Sequence, residues 1–297
     1  MINPRYTTLC LLSACFLLIV SSATAQTLAE QIAQEACAQL DSLQEYNGLQ
    51  DSIKLSITNA MTTVMMRGTA EEKKQLSSIE KLRGTFAEAY NLLQRYCGNV
   101  RRLLIKEKTS KFYKRSDDEK ANEYYDKGNE FMDKGDFKSA IKEFSKSIDA
   151  DPNFVYALDN MAVCYRRNND LKNAIKYYEK SLQIFPEGEV ALVNIAVAYL
   201  LQNDTANAAK HYEEMKLVYP ENAEGYFGLA KIFILKEDYE KALDNVFVAH
   251  RIYVASNSDY IKDSEQLLGI IYNKLKELDR LELFKAKAEE HNIKIED

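Results

Sequence analysis

From residue 121 to residue 256 the chain repeats itself every 34 residues. Asp136, Asp170, Asp204 and Asp238 recur at that interval, as do Ala140, Ala174, Ala208 and Ala242. Phe131, Tyr165, Tyr199 and Phe233 put an aromatic at a third repeated position. Pro152, Pro186 and Pro220 mark a fourth, which Val254 then breaks. A fixed period of this size means one supersecondary unit that cannot bury its apolar face alone and must stack on copies of itself. The expected product is a stacked-repeat binding scaffold.

Within the first unit, 121–154, Tyr124, Gly128 and Phe131 build one face of a helix. Gly135-Asp136-Phe137 turns the chain, and Asp136 is suited to cap the helix that follows. Ala140, Phe144 and Ser147 face back, and Pro152 ends the unit because proline cannot continue a helix. Small residues at 128 and 140 let two helix backbones approach, while large ones at 131 and 144 fill the groove beside them. The pattern returns in 155–188, 189–222 and 223–256, through Ala162, Ala196 and Ala230 and through Tyr178 and Tyr212.

These residues resemble the tetratricopeptide repeat family, over four units covering 121–256. The resemblance implies an all-α fold in which the first helices of successive units line a concave groove that holds a protein or extended peptide. By position, the groove residues are Tyr125, Asn129, Tyr156, Asn160, Val193, Asn194, Phe227 and Lys231, with Asn122, Asp126, Asp159, Val163, Val190, Val197 and Glu224 beside them. Asparagine both donates and accepts, so Asn129, Asn160 and Asn194 suit a peptide backbone; Tyr125, Tyr156, Val193 and Phe227 suit apolar side chains. Some members clamp a C-terminal carboxylate with two asparagines and three basic residues. Asn129 and Asn160 match, but Tyr125, Val190 and Asn194 stand where the cations belong, which argues against carboxylate capture of that kind.

A degraded fifth unit follows, with Leu268, Gly269 and Tyr272 on one helix and Leu281, Phe284 and Ala288 on its partner. Repeat stacks need a terminal element with a polar outer face, so 257–297 reads as that cap with a loose tail.

Ahead of the repeats, 26–116 reads as a separate helical domain without the period. Leu28, Ile32, Ala36, Leu40 and Leu43 form one amphipathic stripe, and Asn47-Gly48 a stop. Leu49, Ile53, Ile57, Ala60 and Val64 form a second. Thr69 and Glu72 have capping-box spacing and should start one long third helix, carrying Leu76, Leu82, Phe86, Leu93, Cys97, Val100 and Leu104 on one face. Three stripes imply an antiparallel helical bundle. The run Arg101–Arg115, basic except for Glu107 among its charged residues, and the link 117–120 read as the boundary between the domains.

Residues 1–25 have the features of an export signal: Arg5, an apolar run from Thr7 to Val20, and the small-residue site Ala23-Thr24-Ala25. Cleavage before Gln26 would leave a periplasmic or secreted protein. Leu12-Ser13-Ala14-Cys15 competes as a lipidation site, which would make the protein a membrane-tethered, outer-membrane-associated envelope assembly factor held through Cys15 or the basic 101–115 stretch. Export permits disulfides, and Cys37 paired with Cys97 would close a loop of about 60 residues, worth roughly 4 kcal/mol in the chain-entropy picture.

The formal charge of −6 argues against nucleic acid, whose phosphates need a basic face. His211, His250 and His291 fall in different units, and no metal-binding, nucleophile-elbow or phosphate-loop pattern occurs. Cys164 sits in a helix as core. The expectation is a non-enzymatic adaptor with no cofactor and no metal.

Overall fold

A computed structural model describes residues 26–41, 43 and 48–293. The export segment with Cys15, the stop residue Asn47 and the end of the tail lie outside the described residues. The described residues form fifteen α-helices and contain no strand.

Helices α1 (Leu28–Leu40), α2 (Leu49–Arg67), α3 (Ala70–Gln75), α4 (Ile79–Tyr96) and α5 (Gly98–Phe112) precede the repeats. The first two stripes of the sequence become α1 and α2, whose Ile32, Ala36, Ile53 and Ile57 are buried in one core with Leu93 and Cys97. The long third helix is instead three helices. Thr69 and Glu72 do form a reciprocal capping box, but α3 stops after six residues. There the Ser77 hydroxyl bonds back to the Lys74 carbonyl, and Ser78 accepts the Lys81 amide to start α4. Serines that satisfy nearby backbone groups offer the chain an exit from the helix. The second break is the single residue Cys97, extended at φ −109 and ψ 94 between α4 and α5. Its side chain is joined to Cys37 of α1 in a disulfide, with the two Cα atoms 5.2 Å apart. Gly48, read as part of a stop, instead opens α2 in the left-handed region at φ 75, a conformation open to glycine without side-chain cost.

The repeats follow as helix pairs: α6 (Glu119–Asp133) with α7 (Phe137–Ala150), α8 (Val155–Arg167) with α9 (Leu171–Ile184), α10 (Glu189–Leu201) with α11 (Thr205–Val218), and α12 (Ala223–Leu235) with α13 (Tyr239–Ala255). Each repeated aspartate caps the second helix of its pair: Asp136, Asp170, Asp204 and Asp238 accept the backbone amides of Ser139, Asn173, Asn207 and Lys241. The residue before each is left-handed, as Gly135, Asn169, Asn203 and Glu237. Ala140, Ala174, Ala208 and Ala242 are all fully buried, so the second helix of each pair can close on the first. Phe144, Tyr178 and Tyr212 fill the spaces between pairs, and complete burial of rings this size contributes on the order of 2–3 kcal/mol each. The fit is tight at Gly128, where a Cβ would lie 2.5 Å from the Phe144 ring.

The fifth unit is α14 (Ile261–Glu277) with α15 (Leu281–Glu290). Phe284 and Ala288 pack against α13, with the Phe247 and Phe284 rings edge to face at 5.6 Å. Lys287 bridges Asp244 and Glu290, tying α15 back to α13. The unit is less polar than a cap is expected to be, because Ile270, Tyr272 and Leu278 stay exposed. Gly269 approaches nothing within 4 Å, so it does not reproduce the close packing of Gly128.

The basic stretch before the repeats is a structured contact. Aspartate Asp118 caps α6 by accepting the Ala121 amide, so half of the expected 117–120 link is already helix. On the other side, α5 lies against the edge of the repeats. Phe112 stacks on Phe185 at 5.3 Å, and Lys108 pairs with Glu187.

Candidate functional site

The first helices of the repeats, α6, α8, α10 and α12, touch their successors along the stack and form the floor of the expected groove. All eight groove residues read from the sequence lie on these helices. Tyr125, Asn129, Tyr156, Asn160, Val193, Asn194 and Phe227 are half-buried, and Lys231 is exposed.

The structure divides them into two groups. At the first-repeat end, Tyr125, Asn129, Tyr156 and Asn160 are engaged with one another and with the chain leaving α5. The Asn160 amide donates to the Asn129 side-chain oxygen at 2.8 Å and to the Tyr125 hydroxyl at 3.3 Å. The Tyr156 hydroxyl donates to the Tyr113 carbonyl at 3.2 Å, and the two rings lie 5.2 Å apart. Arg115 holds Asp126 with two 2.8 Å bonds and lies over the Tyr125 ring. Asn122, placed beside the groove by position, ties down Ser116 instead.

Tyr113 is the residue of this contact that the sequence concealed. Its hydroxyl donates to Asp159 Oδ2 at 2.8 Å. Asp159 was expected in the groove but is 1% exposed. Burial pushes the Asp159 carboxyl up to about 6, against the lowering effect of the Ser181 and Tyr113 hydroxyls. Burial and the neighbouring carboxylate likewise push the Tyr113 hydroxyl far up, so it stays a donor at any physiological pH. The one available signal was the Phe112-Tyr113 pair, two aromatics set inside a run of lysines and arginines.

At the later-repeat end the groove is open. Among the described residues, no hydrogen bond, ion pair or ring contact joins Val193 and Asn194 on α10 or Phe227 and Lys231 on α12 to the N-terminal helices. Arg166, in the last turn of α8, donates from Nη2 to Asn194 Oδ1 at 3.1 Å, and Asn194 donates to the Val190 carbonyl at 2.8 Å. Lys231 lies over the Phe227 ring, 4.5 Å from its centroid. Burial lowers its ammonium below the usual lysine range, with Glu224 and Asp263 pulling the other way. A side chain can be open to water and still desolvated when concave walls surround it, and the floor of a groove provides that setting.

A second concavity of about 790 Å³ separates α5 from the turn between α11 and α12. Arg101, Arg102 and Lys106 line one side and Glu189 and Glu221 the other.

Among the described residues, the buried cysteine and the three histidines stand apart from one another. Cys164 is fully buried, and burial pushes its thiol up to about 12, leaving almost no thiolate near neutral pH. His211, His250 and His291 each bond a different partner, Glu214, Ser264 and Asp244. Among the described residues, the grouping of three potential metal ligands is Cys37, Asp41 and Cys97, and two of these are the disulfide.

Stacked helix pairs with an open groove of polar and apolar side chains define a helical-repeat scaffold of the kind that mediates protein–protein contact. Tetratricopeptide repeat family profiles match residues 124–154, 154–215 and 193–249. The repeat region of this chain belongs to the tetratricopeptide repeat family. Among solved structures, a MamA protein is similar at 21% identity over 59% of this chain and 93% of that one, with a TM-score of 0.49. MamA from Desulfovibrio magneticus is similar at 17% identity over 56% and 98%, with a TM-score of 0.43. A tetratricopeptide repeat protein from Parabacteroides merdae is similar at 20% identity over 59% and 77%, with a TM-score of 0.42. Curated protein sequences gave no match.

Proposed function

We propose that this protein is an exported, non-enzymatic adaptor that displays the open part of its groove to a protein or peptide. The observation that carries this reading is the composition of α10 and α12. Their inner residues Leu192, Ile195, Leu229 and Ile232 are buried between helices, while Val190 is exposed and Val193, Val197 and Phe227 are half-buried, Val193 and Phe227 packing at the edges of neighbouring core clusters. A helix that is apolar all round is ordinarily buried all round. Here one face lines a groove, and apolar surface in a concave setting marks a contact site.

Export rests on the signal pattern of residues 1–25, and the Cys37–Cys97 disulfide is consistent with an oxidising compartment. Lys108 and Arg115 are paired within the chain, and no described helix is long and apolar enough to cross a bilayer.

Site-specific photo-crosslinking tests the groove. A photoreactive phenylalanine at Val197 should capture a partner in the cell envelope, while the same group at Lys180, exposed on the second helix of its pair, should not. Equal capture from both positions would move the site off the groove.

A further inference from the structure

Between its ends, the outer face of α2 carries no charge. From Lys54 to Arg67 none of the intervening residues 55–66 is charged, yet Leu55, Met65 and Met66 are 62%, 50% and 65% exposed. Thr58 and Thr62, also exposed, donate their hydroxyls to the Lys54 and Thr58 carbonyls at 2.7 and 2.8 Å. A hydroxyl bonded within its own helix can leave water at little cost. Ile79, at the start of α4, is 71% exposed. Two concavities of about 350 Å³ each lie between these segments and share Met65 and Leu82, so the apolar surface is continuous from α2 to α4. A helix face that meets only water ordinarily carries charge, as α9 does with Lys172, Lys176, Glu179 and Lys180.

Cations frame this surface, Lys54 and Arg67 at its two ends on α2 and Lys73 and Arg83 on the walls of the concavities. The wider charge has the same sense: residues 26–116 hold 14 basic and 10 acidic side chains, and residues 117–297 hold 24 and 35. An anionic surface therefore attracts the N-terminal helices and repels the repeats. A two-fold contact between copies of the chain would set the framing cations against themselves. We propose that α2, with the start of α4, docks on an anionic phospholipid bilayer. Leu55, Met65, Met66 and Ile79 enter the interface, and the four cations meet lipid phosphates. The helix lies on the bilayer rather than across it, and the acidic repeats stay off the lipid with their groove free. Docking there does not depend on the groove reading.

Flotation of the purified chain, from Gln26 onward, with phospholipid vesicles tests this. The chain should float with vesicles of equal parts phosphatidylglycerol and phosphatidylcholine, stay behind with phosphatidylcholine alone, and detach as salt rises. Met66→Glu, an exposed change that leaves thermal unfolding where it was, should weaken binding about tenfold. Lys73→Gln with Arg83→Gln should do the same. Lys172→Gln with Lys180→Gln removes equal charge from the repeats and should leave binding unchanged. The chain has no tryptophan, so Met66→Trp reports insertion directly, and its emission should shift to the blue on anionic vesicles. No flotation, flotation that survives M66E, or M66W emission that does not move overturns the proposal. So does a chain that ignores vesicles and sediments as a dimer that M66E splits, which would make the surface a contact between copies.

Discussion

The Tyr113 hydroxyl, from the chain leaving the N-terminal helices, donates a 2.8 Å hydrogen bond to Asp159, a carboxylate buried on the first helix of the second repeat. With Phe112 on Phe185 and Lys108 on Glu187, it fixes the N-terminal helices against the repeat stack. A polar bond at this depth is costly to leave unmade, because the Asp159 carboxyl is cut off from water. Tyr113→Phe should therefore lower stability by about 1–3 kcal/mol. Urea unfolding checks the magnitude, and faster proteolysis after Arg115 would show that the two parts have loosened.

The same carboxyl predicts an unusual pH dependence. Its folded value, about 6, lies above the unfolded value near 4, so the folded protein holds the extra proton between those limits. Its contribution to stability is present below about pH 4 and is lost as pH rises through 6, with a span on the order of 3 kcal/mol. The helix caps act in the opposite sense. Asp136, Asp204 and Asp238 are held below the usual carboxylate range by bonds to Ser139, Asn207 and Lys241, so their contribution fades as pH falls below about 4. Stability should peak near pH 4–5 and decline toward neutrality. In Asp159→Asn the decline should vanish, because the amide oxygen still accepts from Tyr113 and carries no charge. Melting temperatures across pH 4–8 for both proteins decide it, and a decline that survives in D159N would assign it to another group.

The extent to which the sequence disclosed this molecule follows from how local each signal is. The 34-residue period, the aspartate caps and the packed alanines were legible because each unit meets copies of itself, so a contact between units appears as a periodicity within the sequence. The three-way division of the expected long helix was hidden, since Ser77, Ser78 and Cys97 act through single bonds that do not disturb the apolar stripe. Asp159 was assigned to the groove by position, and its burial depends on Tyr113, which reaches it from 46 residues away in sequence. Arg166 was not singled out, because a polar residue near the end of an exposed-looking helix gives no sign of what its neighbouring helix presents.

Helix capping offers a prediction at one repeat. Asp170 accepts the Asn173 amide at 3.2 Å from one oxygen and the Asn173 side chain at 2.7 Å from the other. Asp170→Ala removes both and should cost about 1 kcal/mol, while Asp170→Asn should retain most of the cap. Because stacked repeats share interfaces, the loss should appear as lower protection of α9 amides in hydrogen exchange before it appears in the distant α13.

Two glycines on first helices make opposite predictions from the same substitution. Gly228 on α12 faces the ring of Tyr212, and a Cβ there would lie 2.2 Å from it. Tyr212 is 2% exposed and has no free space into which to swing. Gly228→Ala should therefore force the α11–α12 contact apart and destabilise by about 1–3 kcal/mol, more than the helix propensity of alanine returns. Gly269 on α14 meets nothing within 4 Å, so Gly269→Ala should instead stabilise by up to about 1 kcal/mol. Thermal unfolding of the two variants side by side separates close packing from backbone entropy. Gly228→Ala as stable as the parent would mean that α11 and α12 can part at this point, and the register of the third and fourth repeats would need revision.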